Sequence, residues 1–440
     1  MTPRLNLDAL ARLPAAVRRP DYDFLNLRTG IVHLGIGAFH RAHQALITED
    51  AVIFGGGSWG ILGVSLLHAT VPDALAGQAQ LYTVETLGDA PRYRVVATIR
   101  GSLTATTQGA QVLRAIGSSH THILTLTITE KGYCLGTDGE LNFEHPEIVH
   151  DLNPLSEPHS AIGWLAAGLA ARFSTHRRPI TVISCDNLQA NGAKLRRAVT
   201  AFFARTRPQM LGWLRDHVTF PGTVVDCIVP ATTDSTRARV ESALGVRDLA
   251  CVQREPYSQW VIENHFAGPR PAWDQAGAQI VEDVSDYIHL KLHVLNTCHS
   301  ALAYLGLPRG YVFVREAIAD AELAQFLDEL VAAEIAPALA PLPVLDYWRT
   351  VRARFANPRI DHRLSQIAED GSQKLTERIY PLMIANAQTA APINGLARIV
   401  RGWLQLMRAD VDTELDDAIM LPPSIRSNST LQAAIAAAAV

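Results

Sequence analysis

The chain is short of the features that would make it a secreted, membrane or nucleic-acid-binding protein. It has 440 residues but only five cysteines, Cys134, Cys185, Cys227, Cys251 and Cys298. They are odd in number, widely spaced and without a C-x-x-C pair, which argues against a disulfide framework or a structural zinc knot and for reduced thiols in a cytoplasmic protein. No apolar run free of charge is long enough to span a bilayer. The first residues carry Arg4, Asp8, Arg12, Arg18 and Arg19 without a continuous apolar core, so they do not read as a secretory signal. Charge of one sign is also missing: with charged residues at 19% and a net charge of -4, there is no basic surface for a polyanion. Internal repeats are absent. What remains is a soluble globular composition, 48% hydrophobic, long enough for two domains with real cores.

The first half alternates strand-like and helix-like segments. Strands are expected at Ile31–Leu34, Ile61–Leu66, Leu81–Thr86, Tyr93–Arg100, His122–Thr129, Ile180–Ser184 and Thr223–Val229. Helices are expected near Ala42–Phe54, Gln108–Ile116, Ala161–Phe173 and Gly192–Arg205. Such alternation predicts a parallel sheet covered on both faces, with Leu81–Thr86 and Tyr93–Arg100 as an antiparallel insertion. From Asp286 the period becomes helical, through Asp286–Leu305, Glu316–Leu330, Leu342–Phe355, Arg359–Ile367, Gln373–Asn386 and Asn394–Met407, with a helical alanine tail. The expected architecture is an α/β Rossmann-like N-terminal domain, residues 1–285, followed by a mainly α-helical C-terminal domain, residues 286–440.

Two segments carry chemistry. In Lys291-Leu-His-Val-Leu-Asn296-Thr-Cys-His299-Ser300 a lysine, an asparagine and a histidine lie on one apolar helix. At about 100° per residue, Asn296 falls roughly 140° and His299 roughly 80° from Lys291, a shared broad face. A buried ammonium costs several kcal/mol (about) unless paired or deprotonated, which turns a lysine into a usable base. A lysine snorkelling from a helix end, beside two core polar residues, fits the same pattern. The second segment, Gly35-Ile36-Gly37-Ala38-Phe39-His40-Arg41, follows an apolar strand and opens a helix. Gly35 suits a tight turn and Gly37 a close approach of backbone to a pyrophosphate. His40 stands where the usual third glycine would be, which leaves an ordinary strand-to-helix turn as the competing view.

Together with Thr129-Glu130-Lys-Gly132-Tyr133, Ser184-Cys185-Asp186-Asn187, Glu255-Pro256, Gln259-Trp260-Val261 and Asp370-Gly371-Ser372-Gln373-Lys374, these segments resemble the polyol-specific long-chain dehydrogenases, the group of mannitol dehydrogenases and fructuronate reductases. The blocks run in family order from about residue 30 to 380. The resemblance implies metal-free hydride transfer between a nicotinamide cofactor and a sugar acid or polyol. Lys291 would be the base in oxidation and the acid in reduction. Asn296 and Asn187 would donate to the alkoxide, His299 would orient substrate or lysine, and Glu130 would pass protons to water. Asp226, Lys374 and Arg378 would meet substrate. Alternatives stay open from the residues themselves: Asn187 as a helix cap, Glu130 as a solvated strand-end carboxylate, Arg378 as part of a solvated helix face.

One departure stands out, since many relatives have a glutamate where this chain has Ile288; Glu130, Asp286 or His289 would have to compensate. Relatives also often have arginine at Cys227. The pairs His40/His43 and His289/His293 lack the further ligands a zinc site needs, so no metal is expected. NAD is the family's usual cofactor. After Ile61–Leu66 the chain offers neither a clear acid for the ribose nor an arginine cluster for a 2′-phosphate, so NADP stays open. The blocks around Glu130 and Lys374 resemble fructuronate reductases more than mannitol 2-dehydrogenases, implying D-mannonate + NAD = D-fructuronate + NADH. The D-mannitol/D-fructose reaction comes second. A silent NAD(H)-binding regulator would be expected to lack Lys291, Asn296 or Asn187. The partners expected are a small sugar acid or polyol only, with the chain a monomer or small homo-oligomer.

Overall fold

The computed structural model describes residues 2–410 and 421–438. The chain forms two compact units, Met1–Val284 and Ser285–Val440. No helix among the described residues is long and apolar enough to cross a membrane.

The first unit is built on a six-stranded, wholly parallel sheet. Its spatial order is Ile99–Thr104, Gly60–Ser65, Thr29–Leu34, Ile123–Leu126, Ile180–Ser184, Val218–Thr219. In chain order that is 3-2-1-4-5-6, the dinucleotide-binding topology, whose ligand crevice opens at the carboxyl ends of strands one and four. The strands are apolar runs because helices cover both faces: Ile31, Val32, Leu34, Ile123, Leu124, Leu126, Val182 and Ile183 are all fully buried. A mixed four-stranded sheet joins Val17–Arg18, Pro91–Val96, Tyr82–Leu87 and Val252–Arg254. A three-stranded sheet joins Thr223–Asp226, Gln259–Glu263 and Gln279–Val281.

Several expectations need correction. The segment Tyr93–Arg100 is two strands in two sheets. Pro91–Val96 pairs antiparallel with Tyr82–Leu87, and Ile99–Thr104 becomes the edge of the parallel sheet. Composition alone hides the break because Ala97 and Thr98, which join them, are as buried as the strands. The expected helix Ala42–Phe54 is broken at His43, whose φ of -126° and ψ of -85° separate Ala38–Ala42 from Gln44–Gly55. The strands Val17–Arg18, Val218–Thr219, Val252–Arg254, Gln259–Glu263 and Gln279–Val281 were not anticipated; at two to five residues they are too short for periodicity to register.

The second unit is helical around one segment. Ser285–Leu290 is α-helical, Lys291–Asn296 is a π turn, and Thr297–Gly306 continues as α-helix. All ten residues of Thr297–Gly306 are buried, so this is the central helix of the unit, packed among Val314–Ala319, Leu364–Ala368 and Asn394–Asp410. Expected helices are trimmed or split here too. Arg359–Ile367 is helical only over Leu364–Ala368. Gln373–Asn386 divides into Gly371–Arg378 and Tyr380–Thr389, because Pro381 lacks the N–H that would carry the helix across. Glu316–Leu330 divides at Asp320, whose side chain caps the second piece through Glu322 and Leu323 N–H.

Candidate functional site

In the first unit, the turn after Thr29–Leu34 is held by the sheet beneath it. Gly35 has φ +98°, and a Cβ there would lie 2.0 Å from the Thr127 carbonyl oxygen, so the position demands glycine. His33, fully buried one residue before the strand ends, fixes the turn. Its Nε2 is 3.0 Å from the Gly35 carbonyl and 2.9 Å from Thr127 Oγ1, and its Nδ1 is 2.7 Å from Thr125 Oγ1. If Nε2 carries the proton for Gly35, Nδ1 accepts from the Thr125 hydroxyl. Burial lowers the His33 pKa to about 3, so the ring is neutral.

His40 stacks on His33 with ring centroids 3.4 Å apart. Burial, with the neighbouring His33, holds it neutral as well. Arg41 is buried too and donates from Nη1 to the Ile36 carbonyl at 2.7 Å. His40 and Arg41 therefore shape the turn from behind. Gly37, exposed, and Ala38 and Phe39, half-buried, form its open side. At Gly37 an added Cβ would meet only the Gly35 carbonyl oxygen, at 3.8 Å. The fold itself therefore does not require glycine there. His43 is committed elsewhere: Gln44 Nε2 donates to its Nδ1, and its Nε2 donates to the Gln259 carbonyl.

Two sequence blocks meet at Asp186. Its carboxylate accepts from Ile128 N–H at 3.0 Å, Thr129 N–H at 2.8 Å and Tyr133 O–H at 2.7 Å. Desolvation raises its pKa, and these three donors oppose that. The bonds tie the 3₁₀ turn Glu130–Tyr133 to the end of the strand Ile180–Ser184. They also hold Thr129 at φ +65°, a costly conformation for a β-branched residue. Glu130 and Asn187 are thereby placed, both exposed, at the same carboxyl edge of the sheet as the Gly35 turn. Asp226 is buried at the end of Thr223–Asp226, its backbone paired with Gln259. Sequence reasoning had no signal for His33. Asp186 and Tyr133 lay inside quoted blocks but were given no role.

In the second unit, Lys291 is half-buried and Asn296 and His299 are buried. The π turn changes their geometry. Because a π turn closes residue i on i+5, Asn296 comes about one turn above Lys291 instead of lying roughly 140° round the axis. His299 stacks on Phe355 at 4.2 Å, with His362 edge-on at 5.1 Å, and its Nε2 is buried without a hydrogen-bond partner. Burial drives its pKa well down, and His362, Arg354, Arg378 and Lys291 add positive charge in the same direction. Arg354, Phe355 and His362 lie more than fifty residues from the lysine and gave no warning in the sequence.

Arg378 is not on a solvated face. Its Nη1 donates to Ser300 Oγ at 3.0 Å and to the Asn296 carbonyl at 3.3 Å. Its own carbonyl accepts from His293 Nδ1 at 3.0 Å and, more weakly, Thr297 Oγ1 at 3.4 Å. Helix Gly371–Arg378 is thus tied to the π turn. Lys374, half-buried one turn earlier, donates from Nζ to the Ile367 carbonyl at 3.1 Å, and burial lowers its pKa. Ile288 is half-buried, while Asp286 and His289 are exposed.

A doubly wound parallel sheet with its glycine turn at the switch point, followed by a helical unit centred on a lysine-bearing π turn, defines a two-part Rossmann-type oxidoreductase. Residues 29–275 match the mannitol dehydrogenase Rossmann domain and residues 283–432 the mannitol dehydrogenase C-terminal domain. The chain belongs to the mannitol dehydrogenase family. It is 38% identical to a D-mannonate oxidoreductase of Escherichia coli over 90% of this chain and 83% of that one. It is 34% identical to a mannitol 2-dehydrogenase of Phaeosphaeria nodorum over 92% of this chain and 73% of that one. Among solved structures it resembles Pseudomonas fluorescens mannitol 2-dehydrogenase in ternary complex with NAD and D-mannitol, with a TM-score of 0.89 and 33% identity over 98% of this chain and 95% of that one.

Proposed function

We propose that the protein is an NAD-dependent dehydrogenase that interconverts D-mannonate and D-fructuronate. The cofactor reading is supported by the open side of the glycine turn, where Gly35, Ile36, Gly37, Ala38 and Phe39 would carry the pyrophosphate and where a side chain at Gly37 would intrude. His40 and Arg41 hold that turn in shape. NAD, when bound, supplies the hydride acceptor. Everything else falls to side chains.

As the secondary hydroxyl gives up hydride from carbon, its O–H proton passes to the Lys291 amine. On the family resemblance, Asn296 and Asn187 would each donate to the oxygen as negative charge develops, a role worth about 3–4 kcal/mol per donor in other enzymes. His299, neutral and with a free Nε2, orients a substrate hydroxyl. Glu130 takes the proton on toward water, and Asp226 lines the substrate. In the reverse direction the ammonium of Lys291 returns the proton to the ketone oxygen. No metal is assigned a part in this scheme, because Lys291 supplies the proton transfer and the asparagines supply the charge stabilisation.

What favours the sugar acid over a neutral polyol is the pair of cations one turn apart on helix Gly371–Arg378, Lys374 and Arg378, the second of them bonded to the Asn296 carbonyl and Ser300 Oγ. A carboxylate gains charge-assisted hydrogen bonds in such surroundings, whereas a polyol gains only neutral ones. Identities of 38% and 34% to enzymes of the two names do not separate the substrates. The second reading, D-mannitol to D-fructose, is favoured by the likeness to the D-mannitol complex. Initial rates of NADH oxidation with D-fructuronate and with D-fructose test the choice. A kcat/KM for fructuronate at least about a hundredfold higher, near 3 kcal/mol, is expected. A preference for fructose overturns the assignment.

A further inference from the structure

Outside the residues used above, Cys134, His145 and Glu147 converge. Among the described residues they are the one group of three His, Cys, Asp or Glu side chains whose candidate ligand atoms all lie within 4.8 Å of one another. We propose that they bind a thiophilic divalent cation of the zinc type, which clips the loop from Cys134 to Glu147.

The sulfur–oxygen spacing fits one ion, and a ring nitrogen of His145 lies within 4.8 Å of both atoms. Zn–S of about 2.3 Å and Zn–O of about 2.1 Å at a tetrahedral angle place sulfur and oxygen roughly 3.6 Å apart. Cys134 Sγ and Glu147 Oε2 are 3.8 Å apart. His145 Nδ1 is enclosed and has no hydrogen-bond partner. A buried ring nitrogen left unpaired is costly in a loop unless a ligand meets it. Cys134 is itself buried, while His145 and Glu147 are half-buried, which leaves room for a fourth, solvent-derived ligand.

The backbone brings these side chains together without an ion. Asn142 N–H donates to the Cys134 carbonyl, His145 N–H to the Asn142 carbonyl, and Leu135 bridges Leu141. Glu147 then sits in the first turn of Pro146–Asp151, where helix polarity favours its charge. Thiolate, imidazole and carboxylate together select zinc-like ions over magnesium or calcium, which take oxygen ligands. On binding, the Cys134 S–H bond breaks, a metal–sulfur bond forms and one proton leaves to solvent. Cys134 directly follows the 3₁₀ turn Glu130–Tyr133, so a clip there also steadies the turn that bears Glu130.

Cobalt(II) titration of the full-length, metal-stripped protein tests this. One equivalent is expected to bind with a thiolate-to-cobalt charge-transfer absorption and to be displaced by zinc. Cys134→Ser should abolish that absorption. Glu147→Gln, which keeps the thiol, should weaken cobalt binding at least about tenfold. Hydrogen exchange over residues 134–147 should slow when zinc is added to the wild-type chain. Absence of the absorption in folded wild-type protein overturns the proposal, as does its persistence in Cys134→Ser. Should Cys134→Ser fail to fold, an unchanged cobalt affinity in Glu147→Gln overturns it equally.

Discussion

The two glycines of the nucleotide turn should fail in opposite ways. Gly35 has φ +98°, where an L side chain costs about 1–2 kcal/mol. Its Cβ would also lie 2.0 Å from the Thr127 carbonyl oxygen, and that carbonyl belongs to backbone that cannot simply rotate away. Together these should cost about 3 kcal/mol or more in Gly35→Ala. For a domain of this size the loss corresponds to a fall in Tm of roughly 6–12 °C. Gly37 has an ordinary φ of -72°, and its nearest obstacle is 3.8 Å away. Gly37→Ala should therefore stay within about 0.5 kcal/mol of wild type in stability. Its effect should fall on the cofactor, whose pyrophosphate would meet the new methyl, and weaken NADH binding by at least about tenfold, or 1.4 kcal/mol. Differential scanning fluorimetry and NADH fluorescence titration read both quantities. If Gly37→Ala binds NADH like wild type, or Gly35→Ala melts at the wild-type temperature, the assignment of one glycine to the fold and the other to the ligand is wrong.

Acid should destabilise the chain through its buried histidines. His33, His40 and His299 have depressed folded-state pKa values, chiefly by burial, with His33 at about 3. Unfolded, each takes up a proton near pH 6.5 (about), so the stability they contribute is present above that pH and is lost as pH falls toward the folded values. Three such groups give a slope of at most roughly 4 kcal/mol per pH unit. Melting temperatures between about pH 7.5 and 5.5 should fall steadily, and His40→Phe, which keeps the ring stack, should flatten the slope. A flat wild-type profile contradicts this. Arg378→Met removes the donor to Ser300 Oγ and the Asn296 carbonyl. It should raise KM for the sugar acid and lower kcat about tenfold or more while leaving NADH affinity unchanged; unaltered steady-state kinetics would contradict that role. Asp186→Asn should cost about 1–3 kcal/mol, because an amide cannot accept all three of the bonds that Asp186 accepts. Chemical denaturation would show the loss, and a midpoint equal to wild type would count against the tie between the two blocks.

The alternation of strand and helix made the parallel sheet legible, and Ile180–Ser184 falls where the sequence placed it, because strands buried on both faces are continuous apolar runs. The edge Ile99–Thr104 was hidden because the residues joining it to Pro91–Val96 are themselves buried and no turn residue marks the change of sheet. The break at His43 was hidden too, since no proline or glycine causes it. At the site, Lys291, Asn296 and His299 were visible as three polar residues within a single apolar stretch. What surrounds His299 was not: Arg354, Phe355, His362 and Arg378 are brought to it only by packing of distant helices. The π turn escaped as well, because a helical period cannot distinguish i+4 from i+5 closure over six residues. The competing view of Arg378 as part of a solvated helix face fails for a similar reason, since the helix pattern says nothing of Ser300 opposite it.

The most direct test of the account is turnover of D-fructuronate with NADH by Lys291→Ala, measured beside NADH binding by the same protein. The account predicts that kcat falls by about a thousandfold or more, as loss of a general acid–base and charge-stabilising group requires, while NADH binds as tightly as to wild type. Turnover near the wild-type rate in Lys291→Ala would contradict it, whichever sugar proves to be the substrate.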